Sequence, residues 1–209
     1  MKTTDNQNEI FDVVDEDDNV IGRVKRGEAN RNKNLIHRSI GVAVFNRKGE
    51  IYLQQRSSTK DTDPMCWTIS CSGHVRSVTG PATRVSQTPL QNRSTSWGSR
   101  PVKLRLGIPH SRHPLDFIYE KTAHRELFEE LGVKNLELEP VAKYICRAPN
   151  ETEMVMLFKA ISDGPFKLHP QEVNGGKFFT QKELNEQFKT GKLELSFMGK
   201  VALEKLGWL

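Results

Sequence analysis

The run Arg125–Val133, RELFEELGV, places Glu126, Glu129 and Glu130 at i, i+3 and i+4. On a helix those three carboxylates share one face. Like charges so placed repel one another and weaken the helix, and a hard divalent cation taking oxygen ligands offsets that cost. Glu126 and Glu130, one turn apart, make the best ligand pair. Glu129 is a third ligand or a general base, and the spacing does not separate these roles. Ala123, Leu127, Phe128 and Leu131 form the opposite face, expected to be buried, and Gly132 ends the helix in the left-handed conformation. Read blandly, the same run is a solvated acidic face.

The pattern is more specific than an acidic face. Arg125–Val133 reads R-E-U-x-E-E-x-G-U, with U a bulky aliphatic, and resembles the second half of the Nudix box, G-x5-E-x7-R-E-U-x-E-E-x-G-U. Ser72-Gly73-His74-Val75 resembles its opening glycine. Gly73 and Arg125 stand 52 apart rather than the 14 of the box, so 38 residues interrupt the motif. The first Glu of the box is missing: Thr79 stands there counting forward from Gly73, Phe117 counting back from Arg125. The resemblance implies an α/β fold, a Nudix-type α/β/α sandwich with a mixed sheet. It implies a small-molecule diphosphate substrate and Mg²⁺ or Mn²⁺ held by Glu126, Glu129, Glu130 and the Gly73 carbonyl, with Arg125 steadying a neighbouring carboxylate.

A second stretch, HRSIGVAVFNRKGEIYLQQRSSTKDTDPMCWTISCSGH, is similar to the Nudix branch that includes type I isopentenyl-diphosphate isomerase and its hydrolase relatives. By that resemblance His37 and His74 occupy two of three metal-histidine positions, and the third is Asn30. Glu151 and Glu153 match an acidic pair, and two residues apart on a strand they point to one face. Arg26, Arg56 and Lys60 match the cations that hold a diphosphate. The isomerase's cysteine position is Ser72, a poorer proton carrier near neutrality than a thiol, and Cys71 beside it points the other way. The expected activity is metal-dependent hydrolysis of a diphosphate linkage, with Glu129, Arg125 and Glu153 in catalytic roles. The alternatives are isomerase-like activity and a Nudix fold impaired by its split box.

Positioning these residues requires a sheet and one long helix. Ile10–Val24 reads as a β-hairpin around Asp15–Asn19. Ser39–Phe45, Glu50–Gln55, Trp67–Cys71, Leu136–Arg147 and Glu153–Ser162 read as strands. Thr180-Gln181-Lys182-Glu183 is a capping box opening a helix, and Phe197–Leu206 a last helix. Residues 1–8 read as a frayed tail. At 209 residues the chain is long enough for one domain with a real core.

Segment 76–118 differs from its surroundings. It holds seven Arg/Lys and one acid, leaving 24 bases against 25 acids elsewhere, so the net charge of +5 belongs to the insertion. With five of the ten prolines and no Glu, it reads as a disordered insert of the kind translated non-coding sequence would give. Aromatic residues that would stack bases are scarce there, which argues against nucleic acid. No apolar run is long enough to span a membrane, and the polar opening MKTTDNQNEI does not read as a signal peptide. Three cysteines without framework spacing fit reduced, buried thiols in a cytoplasmic protein. The oligomeric state stays open, a homodimer included.

Overall fold

The computed structural model describes residues 3–77 and 114–209. Nine strands form one mixed sheet: β1 (Ile10–Val14), β2 (Val20–Lys25), β3 (Ile36–Phe45), β4 (Ile51–Arg56), β5 (Trp67–Ile69), β6 (Cys71–His74), β7 (Glu139–Arg147), β8 (Thr152–Ile161) and β9 (Val173–Phe179). The helices are α1 (Arg26–Ala29), α2 (Pro114–Leu131), α3 (Gln181–Lys189) and α4 (Phe197–Lys205). Strand β3 is central. It pairs antiparallel with β1, β4 and β6, and parallel with β8 along its whole length. Covered on both faces, its second half, Ile40–Phe45, reads as a continuous apolar run, as buried strands do.

One face of the sheet, carrying Ile36, Ile40, Val42 and Val44, packs on Tyr119, Ala123, Leu127 and Leu131 of α2. The other, carrying Ala43, Leu53 and Leu157, packs on Leu184 of α3 and Ala202 and Leu203 of α4. The result is the α/β/α sandwich with an N-terminal hairpin expected from the sequence. The hairpin turn is fastened to α2 through a buried cation: Arg38 Nε donates to Asp18 Oδ1 at 2.6 Å, and the Tyr119 hydroxyl donates to Asp18 Oδ2 at 3.0 Å.

Several expectations need correction. From Thr4 on the described residues are not a frayed tail: Thr4 N donates to the Thr59 carbonyl, and Asp5 binds Arg26 and Lys60. Helix α2 spans Pro114–Leu131, and proline at a first helical position sacrifices no hydrogen bond. Its first turn therefore overlaps the supposed insert, of which 78–113, with Thr79, lies outside the described residues. Phe128 is 49% exposed, not buried. Strand β9 escapes the sequence because Asn174-Gly175-Gly176 has no β-propensity. Cys71 and Cys146 are buried, but Cys66 is half-buried. The Thr180 cap accepts from Glu183 N at 3.1 Å, while the Glu183 carboxylate turns to Lys177 and Gln187. No helix among the described residues is long and apolar enough to cross a membrane.

Candidate active site

The two halves of the split motif meet. Strand β6 lies under α2, and a Cβ added at Gly73 would collide with the Glu126 carboxylate, so only glycine permits the approach. Arg125 Nη2 donates to the His74 carbonyl at 3.1 Å and pairs with Glu126 Oε1 at 2.6 Å; its Nη1 reaches Glu129 Oε2 at 2.9 Å. Glu126 and Glu130 turn inward, and Glu129 stays at the mouth with 43% of its side chain exposed. Burial, then the charge of Glu130, pushes the Glu126 carboxyl up to about 8. Burial pushes Glu130 up to about 7, against a 2.6 Å hydrogen bond donated by Gln54 Nε2. Two buried carboxyls one turn apart stay ionised together only beside a cation.

Alternation along β6 sends Ser72 and His74 to the face away from α2. There His37, His74, Glu151 and Glu153 offer ligand atoms all within 4.8 Å of one another. His74 Nε2 lies 2.9 Å from Glu153 Oε1, and His37 Nε2 lies 3.7 Å from it. Ser39 Oγ donates to Glu153 Oε2 at 3.0 Å. The Phe11 ring stacks on both imidazoles, at 5.3 and 4.6 Å between centroids. Burial raises the Glu151 carboxyl to about 9, aided by the Glu153 charge. Burial also raises Glu153, but the neighbouring imidazoles outweigh it and hold Glu153 below the usual carboxylate range. Both ring nitrogens of His37 and Glu151 Oε2 are buried without a hydrogen-bond partner. Orphaned donors and acceptors at such a site, in an N₂O₂ set, fit a divalent cation.

A cleft of about 1100 Å³ takes in Gly73, His74, Glu126, Glu129, Glu130, Glu151 and Glu153, together with Arg26, Arg56 and Lys60. His37 sits behind it, fully buried, and Arg125 braces α2 from outside the lining. Asn30 donates to Asp61 Oδ2 at 3.3 Å and stands outside the four-ligand group. The basic residues are not equivalent. Arg26 is held by Asp5 (3.2 Å), Glu9 (3.6 Å) and Asp61 (3.1 Å), and Lys60 by Asp5 and Glu172 (both 2.7 Å). Among the described residues the Arg56 guanidinium donates only to the Thr62 carbonyl and hydroxyl, at 3.0 and 3.1 Å.

Sequence reasoning missed Asp5, Asp61, Gln54, Ser39 and Phe11. Gln54 was legible: it precedes Arg56 by two on β4 and so shares its face. Asp5, Asp61, Ser39 and Phe11 carry no local signal, since their roles depend on pairing across the sheet. Cys71 is fully buried on the α2 side, with its thiol pushed well up by burial and then by Glu130.

The NUDIX domain family matches residues 115–197, a span that leaves out the opening Gly73. Isopentenyl-diphosphate Delta-isomerase I of Camptotheca acuminata is 30% identical over 186 residues, covering 83% of this chain and 68% of that protein. The chloroplastic isomerase I of Arabidopsis thaliana is 30% identical over 195 residues, 85% of this chain and 56% of that one, so the chain spans little more than half of that relative. Isopentenyl-diphosphate Delta-isomerase 1 of Photorhabdus laumondii is 27% identical, covering 83% and 81%. Among solved structures, the Deinococcus radiodurans protein DR0079 superposes with a TM-score of 0.65 at 20% identity, covering 95% of this chain and 98% of that one. A MutT protein from Methanosarcina mazei gives 0.51 at 15%, covering 81% and 91%. These two speak to the fold. The 30% identity to the Camptotheca isomerase over 68% of its length, with the NUDIX match and the motif halves that α2 and β6 bring together, places the chain in the Nudix family, on the branch that holds the isopentenyl-diphosphate isomerases.

Proposed function

We propose that the protein is a Mg²⁺- or Mn²⁺-dependent hydrolase of a diphosphate linkage. The observation that carries this reading is the carboxyl pair of Glu130, buried, and Glu126, 12% exposed and set against Gly73, in a cleft that also holds cationic side chains. Glu126, Glu130 and the Gly73 carbonyl would hold one cation, and His37, His74, Glu151 and Glu153 a second. A bound cation neutralises phosphoryl oxygens and lowers the pKa of water. The chain's own residues do the rest. Arg125 fixes Glu126 and Glu129 in place. Ser39 and His74 fix the rotamer of Glu153, which serves either as a ligand of that second cation or as the proton acceptor for an attacking water. Glu129, at the mouth of the cleft, is the other candidate base. Arg56, which lines the cleft and forms no ion pair among the described residues, would meet the phosphates of the substrate.

Isomerisation of an allylic diphosphate is the second reading, favoured by the relatives and by the two-histidine, two-glutamate group. Against it, Ser72 lines the cleft where that branch carries a thiol, and Cys71 is sealed in the core. Incubating the purified protein with Mg²⁺ or Mn²⁺, a panel of nucleoside and sugar diphosphates, and isopentenyl diphosphate separates the two. Hydrolysis products from the panel support the proposal. Dimethylallyl diphosphate that persists in Cys71→Ala and disappears in Glu153→Gln would overturn it.

A further inference from the structure

Residues 3–9 precede β1 and run along one side of the cleft, where Thr4, Asp5, Asn6 and Glu9 join its lining. The two halves of this strap are held differently. The later half is bonded through its backbone to the start of α1: Gly27 N–H donates to the Gln7 carbonyl at 3.2 Å, and Arg26 N–H to the Glu9 carbonyl at 2.8 Å. A Cβ at Gly27 would stand 3.0 Å from Gln7 Oε1, so the two segments lie close. The earlier half has one long backbone bond, from Thr4 N–H to the Thr59 carbonyl at 3.3 Å, and a 3.0 Å contact between the same two hydroxyls. Its charged attachment is the Asp5 carboxylate.

That side chain is 5% exposed and collects four donors. Lys60 Nζ donates to Oδ1 at 2.7 Å, and Arg26 Nη2 pairs with the same oxygen at 3.2 Å. The Asp61 N–H donates to Oδ2 at 3.0 Å, and the Thr3 hydroxyl at 3.2 Å. Two cations and a backbone N–H converging on one pair of oxygens would serve a phosphoryl group equally well. The charges around the seat show that Asp5 is exchangeable. Arg26 has a second partner in Asp61 at 3.1 Å, Lys60 has one in Glu172 at 2.7 Å, and Arg76 meets Glu9. Those three pairs balance without Asp5. Lifting Asp5 out therefore opens donors to another anion and strands none of these acids without a cation.

We propose that residues 3–6 are an autoinhibitory plug: Asp5 occupies an anion seat in the cleft until a phosphoryl group displaces it, and the strap then swings outward about Gln7. This rests on the hydrolase reading and adds a built-in control to that site. Such a plug lowers the apparent affinity for the ligand by the fraction of molecules that stand open. The test is calorimetric titration of the full-length protein, in Mg²⁺, with inorganic pyrophosphate. It is paired with heteronuclear NOE measurements on the backbone amides of Thr4, Asp5 and Asn6 in the wild type, before and after pyrophosphate is added. Asp5→Asn is expected to bind pyrophosphate about tenfold more tightly than the wild type. Glu9→Gln removes the same charge without emptying the seat and is expected to tighten binding much less. In the wild type the three amides are expected to become mobile as pyrophosphate binds, whereas a lid closing over its ligand would gain order. If Asp5→Asn binds no more tightly, if Glu9→Gln matches it, or if the three amides stay ordered in the complex, the plug is refuted while the hydrolase reading stands. If pyrophosphate binds neither the wild type nor Asp5→Asn, both fall.

Discussion

Arg125 and His74, 51 residues apart, are joined by a 3.1 Å hydrogen bond from the guanidinium to a backbone carbonyl. That bond, with the Gly73–Glu126 contact, restores across space a motif the sequence has split. It also makes Arg125 a positioning residue rather than a ligand. Arg125→Ala is expected to weaken Mn²⁺ binding about tenfold or more, as loss of a group orienting a ligand does. Calorimetry with Mn²⁺ checks this; unchanged affinity would show that Glu126 is oriented without it.

The raised carboxyls give the metal-free protein a defined pH response. Glu130 at about 7, Glu126 at about 8 and Glu151 at about 9 all lie above the ordinary 4.5. Raised carboxyl pKa values favour the folded state while the groups are protonated. That contribution is fully present below about pH 4.5 and is lost as pH rises through the folded values. Between pH 6 and 9 the melting temperature without metal is therefore expected to fall, and Mg²⁺ or Mn²⁺ to restore it while releasing protons. A metal-free melting temperature that rises over this range would contradict the buried-pair geometry.

The Arg38–Asp18 pair, with both side chains 2% exposed, anchors the hairpin turn to the body of the sheet, where Tyr119 and Lys143 also meet Asp18. Asp18→Asn leaves two cations short of a counter-charge and is expected to cost about 3 kcal/mol of stability. Chemical denaturation measures it. Activity per folded molecule should survive, because Asp18 lies outside the cleft lining.

Much of the fold was legible because its signals are local. The Asp15–Asn19 turn, the apolar run of β3 and the Thr180 cap announced themselves. So did the acidic face of α2, whose spacing is a helix property. What stayed hidden is long-range. Phe128 obeys the apolar spacing yet faces water, because the last turn of α2 overhangs the cleft. Arg26 and Lys60 look like phosphate ligands in sequence, and only the fold brings Asp5, Asp61 and Glu172 to them.

The contacts that join the motif halves involve residues on both sides of 78–113. Replacing that segment with a short Gly/Ser linker is expected to preserve cooperative unfolding and Mn²⁺ binding. Loss of the unfolding transition, seen by circular dichroism, would show instead that the segment belongs to the core.

The central claim is that the acids of α2 grip a cation needed to split a diphosphate. Its most direct test is turnover of the best diphosphate substrate with Mn²⁺, in the wild type and in Glu130→Gln, an isosteric change that keeps a partner for Gln54. The account predicts that Glu130→Gln folds and melts cooperatively but falls to background turnover. Full activity in that variant would contradict it.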